Sequence, residues 1–125
     1  MSERRRLVYV EDNHDNFLLT KRVLEVSGNY EVHGAADGER GLSLVRALSP
    51  ALVLLDLDVP KLSGFEIAAA LRRDPATASI PLVAVSASVM TREKQLAIHS
   101  GCDAFVEKPI DIVALRELVD ELALA

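Results

Sequence analysis

Short apolar runs alternate along the chain with longer stretches of mixed polarity. Strand-like runs begin near residues 7, 30, 51, 81 and 103. The stretches between and after them carry apolar residues at helical spacing, and helices are predicted near 17–24, 38–48, 64–73, 91–100 and 111–122. Strands that alternate with helices in this way favour parallel pairing through right-handed crossovers. The pattern therefore predicts a doubly wound α/β domain of five β-α units.

The character of each run predicts its place in the sheet. The runs at 51–55 and 82–85 are continuously apolar, as expected for central strands that helices cover on both faces. The run at 30–35 alternates more between apolar and polar residues, which is typical of an edge strand. Gly28 precedes that run and suits a left-handed backbone conformation at the end of the first helix.

Length, composition and charge narrow the class of protein. With 125 residues, the chain is expected to form one domain over 1–125, with a core that needs no disulfide. Half of the residues are hydrophobic and the net charge is −5, which argues against nonspecific binding to nucleic acid. The basic cluster Arg4-Arg5-Arg6 is interpreted as a solvated flank before the first strand.

Neither secretion nor membrane insertion is indicated. The start of the chain is charged and shows no signal-peptide pattern. No apolar run approaches the roughly 18 residues that span a membrane. Cys102 is the one cysteine, and it is interpreted as a small core residue. We therefore expect a cytoplasmic protein.

Acidic side chains follow two of the predicted strands. Asp56 ends the run at 51–55, and Glu11-Asp12 follow the run at 7–10. Ligands bind at the carboxyl edge of an open parallel sheet. Two unit charges about 4 Å apart repel by about 4 kcal/mol at an effective dielectric near 20, so converging carboxylates need a cation or a proton. An oxygen-only set of ligands favours Mg²⁺, whereas a solvated acidic loop is the plainer alternative.

A hydroxyl and an amine follow two further strands. Ser86 ends the run at 82–85, and Lys108 lies two residues beyond 104–106, just before Pro109. Pro109 imposes extended geometry on Lys108 and permits a cis peptide bond, which would aim the ammonium at Asp56. A snorkelling surface lysine and an ordinary turn serine are the alternatives. Together, an acid nucleophile, a dication and a lysine predict a site for phosphoryl transfer.

These motifs resemble those of a known family. The segments concerned are 8–13, 54–60 with Gly64, 83–87 and 108–109. In their order and spacing, over the whole chain, they resemble the receiver domain of two-component response regulators, the CheY-like fold. Glu11-Asp12-Asn13 with Asn16 resembles the variant found in DivK-type receivers and in receivers attached to hybrid kinases. The resemblance implies a flavodoxin-like, five-stranded parallel sheet in the order 2-1-3-4-5 with five helices.

The resemblance also implies a role for each residue of the site. Asp56 would accept a phosphoryl group from a phosphohistidine. Asp12 and Asp56 would ligate Mg²⁺ through their side chains, and Glu11 would help directly or through water. Asp58 would contribute its backbone carbonyl to the metal. Lys108 would pair with the acceptor or with its phosphate.

A switch and its partners are implied in the same way. Ser86 and Phe105 would form the switch pair, changing the surface of the fourth helix, fifth strand and fifth helix. Asp58 and Ser88 occupy the positions that tune dephosphorylation. The implied partners are a histidine kinase or a histidine phosphotransfer protein upstream and an unidentified protein target downstream, but neither nucleic acid nor a membrane. The chain would be a monomer or a phosphorylation-dependent dimer, and it would catalyse its own phosphorylation and dephosphorylation without being a conventional enzyme.

Three alternatives remain open from the sequence. Asp56-Leu57-Asp58 also fits a haloacid-dehalogenase-like phosphatase, although Pro60 departs from that motif and no cap domain is evident. A degenerate receiver would act only as a binding module. The chain could also be a receiver excised from a larger hybrid kinase or regulator.

Overall fold

Five parallel strands form one sheet in the order that the family resemblance implies. In a computed structural model, which describes residues 4–57, 59, 61–87 and 100–124, the strands are β1 (Arg5–Val10), β2 (Tyr30–Ala35), β3 (Leu52–Asp56), β4 (Leu82–Ser86) and β5 (Ala104–Glu107). Their order across the sheet is β2-β1-β3-β4-β5. The predicted doubly wound α/β fold is confirmed.

Four helices lie within the described residues: α1 (His14–Glu25), α2 (Gly38–Leu48), α3 (Gly64–Arg73) and α4 (Ile112–Ala123). The helix predicted over 91–100 lies outside them, so the helix predicted as the fifth is α4 here. Within the described part of the chain, no helix has the length and apolar character needed to cross a membrane.

Two hydrophobic layers cover the two faces of the sheet. Val8 and Val10 of β1 pack in one layer with α2 and α3. Leu7 and Tyr9 face the other layer, with α1 and α4. Alternate residues of a strand point to opposite faces, so each central strand feeds both layers. In the predicted runs at 51–55 and 82–85, residues 52–55 and 82–85 are fully buried, as their continuous apolar character predicted, whereas Ala51 is half-buried.

The apolar pattern of the sequence predicts the edge strand β2 correctly but does not predict where β1 begins. Burial alternates along β2, which is an edge strand as predicted. β1 begins at Arg5 rather than at the first apolar residue, because the Arg5 amide donates to the Asn29 carbonyl at 2.8 Å. Main-chain pairing therefore extends beyond the apolar run, while the side chains of Arg4-Arg5-Arg6 stay exposed as expected.

Local signals fix the ends of the helices. Asp111 caps α4 as predicted, its side chain accepting from the Ala114 amide. Gly28 follows α1 with a φ of +82°, the left-handed conformation that glycine adopts without steric cost.

Cys102 is 5% exposed, and burial raises the pKa of its thiol to about 11, which fits its interpretation as a core residue.

A carboxylate on α1 fastens this helix to the edge strand. Glu25 Oε2 accepts from the Val32 amide at 2.8 Å and from Lys21 Nζ at 2.9 Å. Lys21 Nζ also donates to the Val32 carbonyl at 2.9 Å. Burial alone would raise the pKa of Glu25, but the Val32 amide and Lys21 outweigh it and lower the pKa below 4.5.

We expect Glu25→Ala to lower the free energy of unfolding at neutral pH by about 1–2 kcal/mol, since it removes a charge-assisted hydrogen bond to the main chain of the edge strand β2. Because the folded-state pKa is lowered, this stabilisation is present above the unfolded pKa and is lost as the pH falls through the folded value. The difference between wild type and variant should therefore shrink below pH 4.5. Urea unfolding at several pH values measures it. Glu117→Ala on the exposed face of α4 is the control, and an equal loss there would contradict the prediction.

Candidate functional site at the carboxyl edge of the sheet

Three carboxylates meet where β1 and β3 end. The two strands are neighbours, with Val10 opposite Leu55, so the residues that follow them converge. Glu11, Asp12 and Asp56 each offer an oxygen, and these oxygens lie within 4.8 Å of one another. Glu11 and Asp56 are each 4% exposed, whereas Asp12 is open to solvent. The cluster is thus buried on the sheet side and accessible on the other.

Lys108 bridges two of these acids. Its Nζ donates to Asp56 Oδ2 at 2.8 Å and to Glu11 Oε1 at 2.9 Å. The Lys108 amide donates to the Ser86 carbonyl at 2.9 Å, which fixes the residue beside the end of β4. The Lys108–Pro109 peptide bond is cis. The ammonium of Lys108 thereby joins Glu11, which lies 97 positions away in the sequence, and Asp56, which lies 52 positions away.

Burial and charge act against each other at this edge. Burial raises the pKa of Glu11, and the nearby Asp56 raises it further, while Lys108 opposes both. Burial alone would lower the pKa of Lys108, but its hydrogen bonds and ion pairs with Asp56 and Glu11 outweigh burial and raise it. Lys108 therefore stays protonated at neutral pH. In the part of the chain that the structure describes, the ammonium of Lys108 pairs with two acids of the cluster, Glu11 and Asp56. When all three acids are ionised, the cluster therefore keeps an excess of negative charge.

One oxygen of Glu11 lacks a protein donor. Glu11 Oε1 accepts from Lys108, but the buried Oε2 has no hydrogen-bond partner among the described residues. Its neighbour Asp56 is also an acid, and could donate only if a proton were shared between the two carboxylates. A buried oxygen left without a donor costs about 1–3 kcal/mol, and more when it is charged. A hard divalent cation fits this oxygen-only set of ligands.

The comparisons with known proteins decide the family. The family model of the response regulator receiver domain matches residues 7–120 of this chain. The chain belongs to the response regulator receiver domain family. Receivers of this family act in two-component signalling, which gives the present chain a phosphorylation-dependent signalling role. The match favours this interpretation over the phosphatase alternative.

Individual relatives agree with this assignment. The receiver is 34% identical over 113 residues to the polar-differentiation response regulator DivK of Brucella anthropi, covering 90% of this chain and 91% of that protein. A putative response regulator from Chloroflexus aurantiacus superposes with a TM-score of 0.93 at 24% identity, over 98% of this chain and 100% of that one. The receiver domain of a sensor histidine kinase from Pseudomonas aeruginosa superposes with a TM-score of 0.89 at 20% identity, over 98% and 100% of the two chains. That structure is described with a magnesium ion coordinated in its active-site cleft.

The two residues predicted as a switch pair lie on adjacent strands of the receiver. Ser86 is the last residue of β4 and is 2% exposed. Phe105 lies on β5 opposite Ala84 and packs, half-buried, against the layer that holds α2 and α3. Asp58 and Ser88, predicted as a metal ligand and as a tuning position, lie outside the described residues.

Sequence reasoning missed Tyr9, which it treated as an ordinary strand residue. The Tyr9 hydroxyl donates to Glu11 Oε1 at 3.3 Å. Burial raises the pKa of Tyr9, and the charges of Glu11 and Asp56 raise it further. The spacing of two residues in an extended segment places Tyr9 and Glu11 on the same face. That spacing was the signal available in the sequence.

Proposed function

We propose that this receiver is a phosphorylation-controlled switch in a two-component phosphorelay, and that Asp56 accepts the phosphoryl group from a phosphohistidine. The observation that carries the proposal is the contact of 2.8 Å between Asp56 Oδ2 and Lys108 Nζ within a carboxylate cluster that opens to solvent. A structural ion pair would need neither the two further acids nor the buried oxygen without a donor. A metal-assisted phosphoryl-transfer site uses both, because the acids ligate the cation and the cation satisfies the oxygen that has no donor.

The transfer is a displacement at phosphorus. A carboxylate oxygen of Asp56 forms the new bond to phosphorus, and the bond from phosphorus to the donor's imidazole nitrogen breaks. The electron pair of the broken bond leaves with the imidazole, and the product on this chain is an acyl phosphate. Lys108 remains protonated, because its acid partners raise its pKa. Its ammonium can therefore pass from Asp56 to an oxygen of the transferred group without a change in protonation.

The same residues provide for a metal ion. Glu11, Asp12 and Asp56 would hold Mg²⁺ together with the backbone carbonyl of Asp58. When bound, this ion neutralises charge that develops on the phosphoryl oxygens. Glu11 and Asp12 themselves set the excess of negative charge that draws a dication to the cluster.

The output follows from the position of the switch pair. The Ser86 hydroxyl would donate to the new phosphate, and Phe105 would turn inward as β4 and β5 rearrange. The surface around β5 and α4, with the helix predicted over 91–100, then changes for a protein target. Phosphate shifts this equilibrium only by its different contacts in the two states.

Partners and location complete the proposal. The donor is a histidine kinase or a histidine phosphotransfer protein, and the target is another protein. The net charge of −5 argues against nucleic acid as the target. The chain acts as one receiver domain, either as a monomer or as a phosphorylation-dependent dimer, in the cytoplasm.

Magnesium dependence tests the proposal. We expect acetyl phosphate to add one phosphoryl group to the purified chain in the presence of Mg²⁺, with little or no addition when a chelator removes divalent ions. The physical reason is that the excess acid charge repels an anionic donor unless a cation compensates it. Intact-mass measurement over time gives both results. Equal phosphorylation with and without the metal would contradict the metal's role, and none under either condition would favour a binding module that takes no phosphate.

A further inference from the structure

We propose that Tyr9 is a positioning residue whose buried hydroxyl holds Glu11 in the orientation that presents one carboxylate oxygen to the divalent cation. This inference deepens the proposed function and depends on it. It concerns how the metal site is built, and it assigns to Tyr9 a task beyond filling the core.

The two oxygens of Glu11 have separate surroundings. Oε1 accepts from Lys108 Nζ at 2.9 Å and from the Tyr9 hydroxyl at 3.3 Å. Oε2 accepts from no described residue although it is buried. With both protein donors on one oxygen, the other is left for a cation or for a water molecule bound to it. Lys108 alone does not fix the orientation of the Glu11 carboxylate, because its ammonium also donates to Asp56.

Tyr9 is itself held rigidly enough to orient a neighbour. It is fully buried in the central strand β1. Its ring stacks on that of Phe17, with centroids 6.2 Å apart and planes 17° from parallel. The Phe17 ring in turn lies over Gly34, where an added Cβ would clash with it. The packing of α1 against β2 thus fixes the ring, the ring fixes the hydroxyl, and the hydroxyl restrains Glu11.

Groups outside the direct ligands of a metal often control the affinity for that metal. Replacing a partner that orients a ligand typically weakens metal binding by about 10- to 100-fold. The hydroxyl-to-carboxylate contact in this receiver is longer than the usual 2.7–2.8 Å, so the effect should lie at the lower end of that range.

The chain supplies a matched control for this inference. It contains two tyrosines and no tryptophan. Tyr30 is also buried, at 2% exposure, and its hydroxyl donates to a carboxylate, Asp120 Oδ1, at 2.6 Å. Tyr30 begins β2, whereas Ala35 at the other end of β2 pairs with Val10 beside the acids. Tyr30→Phe therefore makes the same chemical change at the opposite edge of the sheet.

Calorimetric titration of the full chain with MgCl₂ tests the inference directly. We expect Tyr9→Phe to weaken Mg²⁺ binding by about tenfold and Tyr30→Phe to leave it unchanged. In a Glu11→Ala background, Tyr9→Phe should have no further effect, because the carboxylate that Tyr9 orients is absent. A general loss of packing would instead weaken binding equally in both backgrounds.

Tyrosine fluorescence gives a second readout, and its decisive measurement uses Tyr30→Phe and so does not depend on how well Tyr9→Phe folds. In Tyr30→Phe the only tyrosine is Tyr9, and its emission should change as Mg²⁺ binds. In Tyr9→Phe the only tyrosine is Tyr30, and its emission should not respond.

The outcomes separate the two proposals. Failure of the wild-type protein to bind Mg²⁺ would overturn the proposed function and the inference with it. Normal binding by wild type with unchanged affinity in Tyr9→Phe would overturn the inference alone. If calorimetry shows that Tyr30→Phe binds Mg²⁺ but the emission of Tyr9 does not change, that result would also contradict the inference.

Discussion

We expect the Asp56→Asn variant to take up essentially no phosphoryl group from acetyl phosphate and Mg²⁺. The initial rate should fall by at least about 10³-fold, in line with the loss of a nucleophile elsewhere. An amide oxygen carries no negative charge and cannot form a stable acyl phosphate. Asp56 is also the one acid of the cluster that ends a strand at the sheet edge and contacts Lys108 through Oδ2.

Asp15→Asn is the matched control for this experiment. Asp15 lies in the first turn of α1 and is exposed, so its charge is removed close to the sheet edge without touching the cluster. The control should be phosphorylated at the wild-type rate. Substantial uptake by Asp56→Asn, in protein shown by circular dichroism to be folded, would remove Asp56 as the acceptor.

Lys108→Ala should separate metal binding from phosphoryl transfer. The variant should keep its affinity for Mg²⁺ or bind it more tightly, because the ammonium no longer competes for Glu11 and Asp56. Its phosphorylation rate should fall by about 10²-fold, the usual effect of losing one charged or hydrogen-bonding group that stabilises the transferred oxygens. Calorimetry and intact-mass kinetics measure the two quantities.

The same variant should also be less stable without metal. The carboxylates of Glu11 and Asp56 are buried, at 0% and 6% side-chain exposure, while Lys108 is 22% exposed. Removing the ammonium leaves both carboxylates without this donor, which costs about 1–3 kcal/mol. Mg²⁺ should restore part of the loss. The acids raise the pKa of Lys108 above 10.5, so its contribution is full below that pH and is lost as the pH rises through the folded value.

Lys61→Ala provides the comparison. Lys61 is exposed and lies 3.8 Å from Asp37, so its removal should change neither metal binding nor phosphorylation. A Lys108→Ala protein phosphorylated as fast as wild type would contradict the role proposed for the ammonium. Loss of Mg²⁺ binding would show that Lys108 supports the metal site rather than competing with it.

The sequence predicts a strand well where burial alone determines the pattern of its residues. The continuous apolar pattern of the runs at 51–55 and 82–85 identified them as central strands, and residues 52–55 and 82–85 are indeed buried on both faces of the sheet. β1 was predicted to start too late, because main-chain pairing at Arg5 needs no apolar side chain. The strand order was implied by family resemblance, since the local patterns alone do not specify which strands are neighbours.

The candidate site was less completely predictable. Acids at the ends of strands can be anticipated from the sequence. Which oxygen of Glu11 receives a hydrogen bond and which has no donor depends on tertiary packing and cannot be anticipated in this way. Tyr9 was missed because a tyrosine in an apolar run predicts core packing. Its spacing from Glu11 indicated a shared face, but the fold was needed to show that its hydroxyl reaches the carboxylate. The predictions for Asp58, for Ser88 and for the helix over 91–100 remain predictions, because they fall outside the described residues.

Mapping the phosphoryl group on the wild-type chain tests the central claim most directly. After reaction with acetyl phosphate and Mg²⁺, rapid digestion and tandem mass spectrometry should place a single group on Asp56. Hydroxylamine, which cleaves acyl phosphates but not serine phosphate esters, should remove it. A group found on Ser86 or on any other residue, or one that resists hydroxylamine, would contradict the account.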